Sequence, residues 1–282
     1  MVKIVADSTC DLSKELIEKY KIEIVPLHIV LGDKEYLDGV EITPDEIYEW
    51  ADKHEDTPKT SAVGFDSAIA VLKPIADSED EMIVFTISEK MSTTANVFRM
   101  AVDELELEDR VTVIDSANLS TGIGLMVLKA ADMAINGKNR NEIETAIEEM
   151  ISKIRASFVV DTLTYLHRGG RCSSVAALAG GVLKLHPKIV VEDGAMSADK
   201  KYRGKMDKVI LDYVKDMEEE LKSAEKTRVF ITHSGCEQEI IDSVYTYLKE
   251  LEYFDEILIT RAGGVISSHC GAGTLGVLYV RA

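Results

Sequence analysis

The chain has 282 residues and a formal charge of −18, with 46% hydrophobic and 29% charged residues. A chain of that length buries a sizeable core without disulfides or metals and has room for two ordinary domains. Its charge repels phosphate backbones, so nucleic acid is not an expected partner, and no window reaches the ~18 apolar residues of a membrane helix, so no transmembrane segment is expected.

In chain order the first half alternates short apolar runs with helical patterns. A strand is expected at 2–6, a helix at 12–20, one or two strands over 22–30 and a helix at 44–53. Helix 67–76, strand 82–87, helix 92–104, strand 111–115 and helix 120–136 follow, then a last helix over 140–155. Strands alternating with crossover helices indicate an α/β fold with a parallel sheet and functional loops at the strands' C-terminal ends. The composition changes after the last helix, placing a boundary near residue 156 between domains at 1–156 and 157–282.

The second half holds a Gly/Ala-rich stretch at 175–185, a strand near 188–191, a long acidic helix at 206–224 and a strand at 228–232. It closes with a helix at 238–251 and strands near 256–260 and 275–280. Small residues at helical spacing usually mean tight packing; secondarily they suit the wall of a narrow channel.

Met1-Val2-Lys3-Ile4-Val5 enters a strand pattern without a secretory leader, which predicts a cytoplasmic location. Cys10, Cys172, Cys236 and Cys270 are far apart, with no C-x-x-C pair and no histidine at ligand spacing, so reduced thiols and no metal are expected. Residues 167–208 carry nine Lys/Arg against four Asp/Glu, a local +5 within an acidic chain.

Three loops at expected strand ends bear hydroxyls: Asp7-Ser8-Thr9, Ser88 to Thr94, and Asp115-Ser116. Ser8, Thr9, Asp11 and Ser13 are ordinary capping residues. Ser92 and Thr93 also suit caps, although a helix start with free N–H groups is itself an anion site. Lys59-Thr60-Ser61 adds two more hydroxyls, and the run from Gly263 to Ser268 reads as an apolar strand ending at His269. Hydroxyls with a neutral imidazole can hold an oxyanion. The pair Ser92 and His269 leaves an esterase or acyl-phosphate hydrolase open, although no G-x-S-x-G elbow is present. In Leu166-His167-Arg168-Gly169-Gly170-Arg171 the glycines permit close approach or positive φ, and arginine offers planar donors to an anion. No phosphate-loop or dinucleotide fingerprint is present, so no nucleotide cofactor is expected.

Taken in order, these segments resemble the DegV family of fatty-acid-binding proteins, which serve as substrate subunits of bacterial fatty acid kinase. The matching parts are residues 5–13, Lys59-Thr60-Ser61, residues 88–94, Val113-Ile114-Asp115-Ser116, residues 166–173 and residues 264–269 with the glycine-rich tail. The resemblance implies an N-terminal parallel-sheet, three-layer domain and a C-terminal α/β domain with a mixed sheet. It implies one long-chain fatty acid between them, its acyl chain in the C-terminal domain, and no other cofactor. Thr60, Ser92 and His269 stand at the family's carboxylate positions, flanked by Ser61 and Thr93. Arg171 lies in the family's Gly-Gly-Arg motif, and Arg203 matches an arginine used with the ATP-binding kinase partner. Ala62-Val63, Thr93, His186-Pro187-Lys188 and Ala272 depart from the family's usual residues.

Overall fold

The computed structural model describes residues 1–172, 174 and 185–282. The first half runs β1 (Val2–Asp7), a 3-10 turn (Ser8–Cys10), α1 (Lys14–Tyr20), β2 (Glu23–Val25), β3 (His28–Leu31), β4 (Lys34–Leu37) and α2 (Pro44–His54). It continues with β5 (Lys59–Ser61), α3 (Phe65–Ala76), β6 (Glu81–Thr86), α4 (Thr94–Glu104), β7 (Val111–Asp115), α5 (Thr121–Ile135) and α6 (Arg140–Ile151). Then come β8 (Ile154–Val159), α7 (Thr164–Gly169), β9 (Leu185–Glu192), β10 (Ala195–Arg203), α8 (Met206–Asp216), α9 (Glu218–Leu221) and β11 (Ala224–Ser234). The chain closes with α10 (Gln238–Glu250), β12 (Glu256–Arg261), α11 (Gly264–Cys270) and β13 (Thr274–Arg281).

Strands β2-β1-β6-β7 form a parallel sheet in that order. Its central strands are apolar along their length because helices cover both faces; in β6 every residue after Glu81 is buried. The second half forms a mixed sheet, β10-β9-β8-β13-β11-β12, in which only β11 and β12 run parallel. A small antiparallel sheet, β4-β3-β5, stands beside the first.

Helix α5 explains how the two large sheets meet. Ten of its fifteen residues are buried, so it is apolar nearly all round. Ile123, Met126 and Val127 share one core with Phe85 and Ile114 of the first sheet and Phe158 and Leu278 of the second. A second core lies under α2, α3 and α4, and a third under α8 and α10. Arg228 adds further ties, with ion pairs to Asp132 over 2.7 Å and Glu256 over 2.6 Å and a hydrogen bond donated to the Tyr20 hydroxyl over 3.0 Å.

Several expectations need correction. The helix begun at Arg140 ends at Ile151, and Ile154 already belongs to the mixed sheet. The long acidic helix breaks at Met217, and Ala224 opens β11. Strands β4, β5 and β10 were not anticipated, because they are short or rich in Lys and Asp and lack the apolar alternation of a half-buried strand. The run expected as a strand before His269 is helix α11, buried from Gly264 to Ser268. A short apolar run buried on all sides has no periodicity that separates strand from helix. Of the Gly/Ala-rich stretch, residues 175–184 lie outside the described residues. No helix among the described residues is long and apolar enough to cross a membrane.

Candidate functional site

A cavity of about 420 Å³ opens where the small sheet, the loop before α4, the end of α7 and helix α11 converge. Thr60, Ser61, Ser92, Thr93, Arg171 and His269 all line it, so six of the seven residues singled out in the sequence share one wall. Its apolar lining comes from Leu27, Ile87, Met91, Leu119, Met196, Val265 and Ile266. Leu119, Ile266 and Cys270 also border a smaller void of about 20 Å³ that runs on toward Phe158 and Leu278. Arg203, the seventh, is exposed at the far end of β10. Met196 and Arg203 are seven residues apart along that strand, roughly 20 Å. A larger cavity of about 680 Å³ is lined by Arg155 and Lys188 together with Glu192, Asp199 and Glu220, and holds none of the seven.

Thr60 is placed by strand pairing, opposite Ile29 of β3. His269 comes from the last turn of α11, and its Nε2 lies 2.8 Å from Thr60 Oγ1, across 209 residues of chain. The other ring nitrogen, Nδ1, is buried without a partner among the described residues. It faces Gly169, where an added Cβ would stand 2.4 Å from Nδ1. Burial, with the Arg171 charge adding to it, lowers the His269 pKa to about 4, so the ring is neutral at pH 7.

The Gly-Gly-Arg motif now has a separate physical reason for each residue. Gly169 leaves room for the imidazole, while Gly170 takes φ +68° to cap α7. That turn lets Arg171 fold back, with Nη1 donating to Gly169 O over 2.7 Å and Nε to Met91 O over 3.5 Å. Neither bond neutralises the guanidinium, which faces the cavity as a positive charge.

The loop carrying Ser92 is fixed from below. Asp7 Oδ2 accepts from Ile87 N over 2.8 Å, and Ser88 Oγ donates to Gly194 O over 2.6 Å, tying the loop to the β9–β10 turn. Ser92 Oγ lies 2.9 Å from Thr94 Oγ1, and Thr93, at the N-cap of α4, makes no side-chain cap bond. Ser61 instead donates to Glu35 over 3.3 Å. Among the described residues no carboxylate holds the His269 ring, so the acid–imidazole–hydroxyl relay of a serine hydrolase is not assembled there around Ser92. A ring depressed to about 4 is also a poor general base near pH 7. No group of three or more ligating side chains suited to a metal occurs among the described residues.

Sequence reasoning missed Asp38, which is buried and accepts main-chain bonds from Gly264 and Val265 at the start of α11. The signal was the pair Gly263-Gly264, which lets that main chain approach closely. Leu119 and Met196 were missed because nothing local distinguishes a cavity wall from core.

A family model described as "Uncharacterised protein, DegV family" matches residues 1–282. A DegV domain-containing protein of Caldanaerobacter subterraneus subsp. tengcongensis is 33% identical over 282 residues, covering 99% of this chain and 98% of its own. Among solved structures, the fold is similar to a DegV family protein from Thermus thermophilus described as binding fatty acid, with a TM-score of 0.91, 29% identity and coverage of 100% and 99%. It is also similar to a stearic-acid-binding protein from Eubacterium ventriosum, with a TM-score of 0.86, 29% identity and coverage of 100% and 98%.

Proposed function

We propose that this chain, which belongs to the DegV family, binds one long-chain fatty acid between an N-terminal domain (1–156) and a C-terminal domain (157–282) and presents it to a fatty acid kinase. The observation that carries it is the Thr60–His269 contact of 2.8 Å in the wall of a cavity whose apolar lining includes Leu27, Leu119, Val265 and Ile266. Two structural neighbours at 29% identity are described as fatty-acid-binding proteins.

An orphaned lone pair costs less than an orphaned N–H, so the buried, unpaired Nδ1 favours the tautomer with its proton on Nε2. The Nε2–H then donates to Thr60 Oγ1, and the Thr60 hydroxyl proton is free to donate onward to a carboxylate. Ser92 and Thr93 supply further hydroxyls, Ser61 joins them once its proton leaves Glu35, and Arg171 supplies positive charge, while Glu89, which also lines the cavity, is paired with Arg99. A carboxylate leaving water needs several such donors, while each buried CH₂ of its tail contributes ~0.8 kcal/mol.

Arg203, away from the cavity, suits contact with a partner rather than with ligand, and the basic segment around Arg171 extends such a face. The protein then acts in the cytoplasm as a carrier, not as an enzyme, with the fatty acid as its ligand and no other cofactor. The alternative of an esterase or acyl-phosphate hydrolase using Ser92 and His269 has the depressed, acid-free imidazole against it.

Native mass spectrometry of the purified protein, then lipid identification after denaturation, is expected to find one fatty acid per chain. Delipidated protein is expected to take up fatty acid at micromolar concentration, with Thr60→Ala and His269→Ala each weakening binding about tenfold, or 1.4 kcal/mol. Refusal of added fatty acid overturns the binding role. Turnover of acyl esters that Ser92→Ala abolishes revives the hydrolase.

A further inference from the structure

Helix α11 supplies Val265, Ile266, His269 and Cys270 to the cavity, so where it sits decides where the imidazole sits. Its first main-chain N–H groups are held by buried carboxylates from the other half of the chain. Asp38 Oδ1 accepts from Gly264 N over 2.7 Å and Oδ2 from Val265 N over 3.3 Å, while Asp11 Oδ1 accepts from Gly263 N over 2.8 Å. Asp38 itself follows β4, with its own N–H bonded to Leu27 O over 2.9 Å, and Ser8 Oγ donates to its Oδ2 over 2.8 Å.

Asp38, directly after β4, and Thr60 of β5 therefore flank central strand β3 of the three-stranded sheet on opposite sides. That sheet grips α11 twice, at Gly264 through Asp38 and at His269 through Thr60. Five residues, about 7.5 Å of helix rise, separate the two grips. The fit at the first is close: a Cβ on Gly264 would stand 2.4 Å from Ile29 Cδ1 and 2.7 Å from Asp38 Oδ1. Without Asp38 the start of this seven-residue helix keeps the Asp11 bond at Gly263 but loses those at Gly264 and Val265, and a turn of one residue step about that remaining bond swings the His269 ring away from Thr60.

We propose that Asp38 is a positioning residue for the ligand headgroup: by fixing the start of α11 on the three-stranded sheet, it sets the register in which His269 meets Thr60. It rests on the reading of Thr60 and His269 as the carboxylate site, and acts through them rather than by touching ligand.

The test is a double-mutant cycle of Asp38→Ala with Thr60→Ala, read by fatty acid affinity, together with ¹⁵N NMR of the His269 imidazole in ligand-free protein. Asp38→Ala is expected to weaken fatty acid binding at least tenfold in the wild-type background and less than threefold in Thr60→Ala, because the contact it orients is already gone. The Nε2–H resonance is expected to lose its hydrogen-bonded shift in Asp38→Ala and to be partly kept in Asp38→Asn, which retains one acceptor oxygen. Equal weakening in both backgrounds, or an unchanged imidazole signal in folded Asp38→Ala, overturns the proposal. If Asp38→Ala does not fold, Asp38→Asn carries the same cycle with a smaller expected loss. If wild-type protein takes up no fatty acid, the headgroup reading fails by itself, and the imidazole signal still decides whether Asp38 sets the contact.

Discussion

Gly169→Ala is expected to reduce fatty acid affinity about tenfold to a hundredfold, or 1.4 to 2.7 kcal/mol, with little change in thermal stability. The new methyl would stand 2.4 Å from His269 Nδ1 and 3.2 Å from Cε1, so the ring has to move, and the 2.8 Å contact with Thr60 moves with it. The backbone does not resist the change, since Gly169 is the last residue of α7 and is not among the positive-φ positions; alanine there gains helix propensity that offsets the crowding. Gly170→Ala is the natural control. Nothing stands within 4 Å of its added Cβ, but φ is +68°, so about 1 kcal/mol of stability is expected to be lost with the ring undisturbed. Isothermal titration with a delipidated sample, beside thermal melts, separates the two. Equal affinity of Gly169→Ala and wild type would show that the imidazole does not act on the ligand.

The second large effect is on pH dependence. Asp7, Asp11 and Asp38 are buried close together; burial, then the charge of Asp38, pushes Asp7 up to about 6 against the opposing hydrogen bonds of Thr9 and Ile87. Burial, with the charges of Asp38 and Asp7 adding, pushes Asp11 up to about 8. A carboxyl whose pKa is higher folded than unfolded binds its proton more tightly in the fold. Its contribution is therefore fully present below the ordinary value of 3.8 and lost as pH rises through about 6 for Asp7 and about 8 for Asp11. Exposed carboxylates such as Asp45 and Asp80, held below their ordinary range by hydrogen bonds from Arg261 and the N-terminal amine, lose their contribution only at acid pH.

Stability is thus expected to peak near pH 5 and to fall by several kcal/mol toward pH 9. Asp11→Asn sharpens the test. Ser120 Oγ donates to Asp11 Oδ2 over 2.5 Å, and with Asp11 protonated the same contact persists with the donor reversed. An asparagine places its amide there and keeps an oxygen for Gly263 N, copying the protonated form. Urea unfolding is expected to find Asp11→Asn close to wild type near pH 4 and more stable than wild type at pH 9, the gap opening as pH rises between the two. Loss of stability at both pH values would mean that Asp11 is held as a carboxylate by its donors.

Much of the first half was legible locally. The strand–helix alternation from Val2 to Ile135 emerged because buried parallel strands and amphipathic helices leave different apolar spacings. The hydroxyls of Thr60, Ser61, Ser92 and Thr93 stood out because polar side chains at strand ends are where such sheets open to ligands. Residues 157–282 were harder. Strand β10 carries Asp199, Lys200 and Lys201, and α11 packs so many small and apolar residues that no face reads as polar.

Composition, charge and spacing alone determined an acidic α/β chain without a membrane-length apolar run, with hydroxyl-bearing loops and one histidine near its end. Only the tertiary structure decided that Thr60 and His269, 209 residues apart, touch. It decided too that Gly169 is small for the sake of that ring, and that Asp38, in what reads as an ordinary turn, is buried against the start of α11. The physical reason is the range of each signal. Periodicity and capping report what a residue's own neighbours require, whereas a cavity wall, a crowded glycine or a buried carboxylate is created by a partner that local sequence does not reveal.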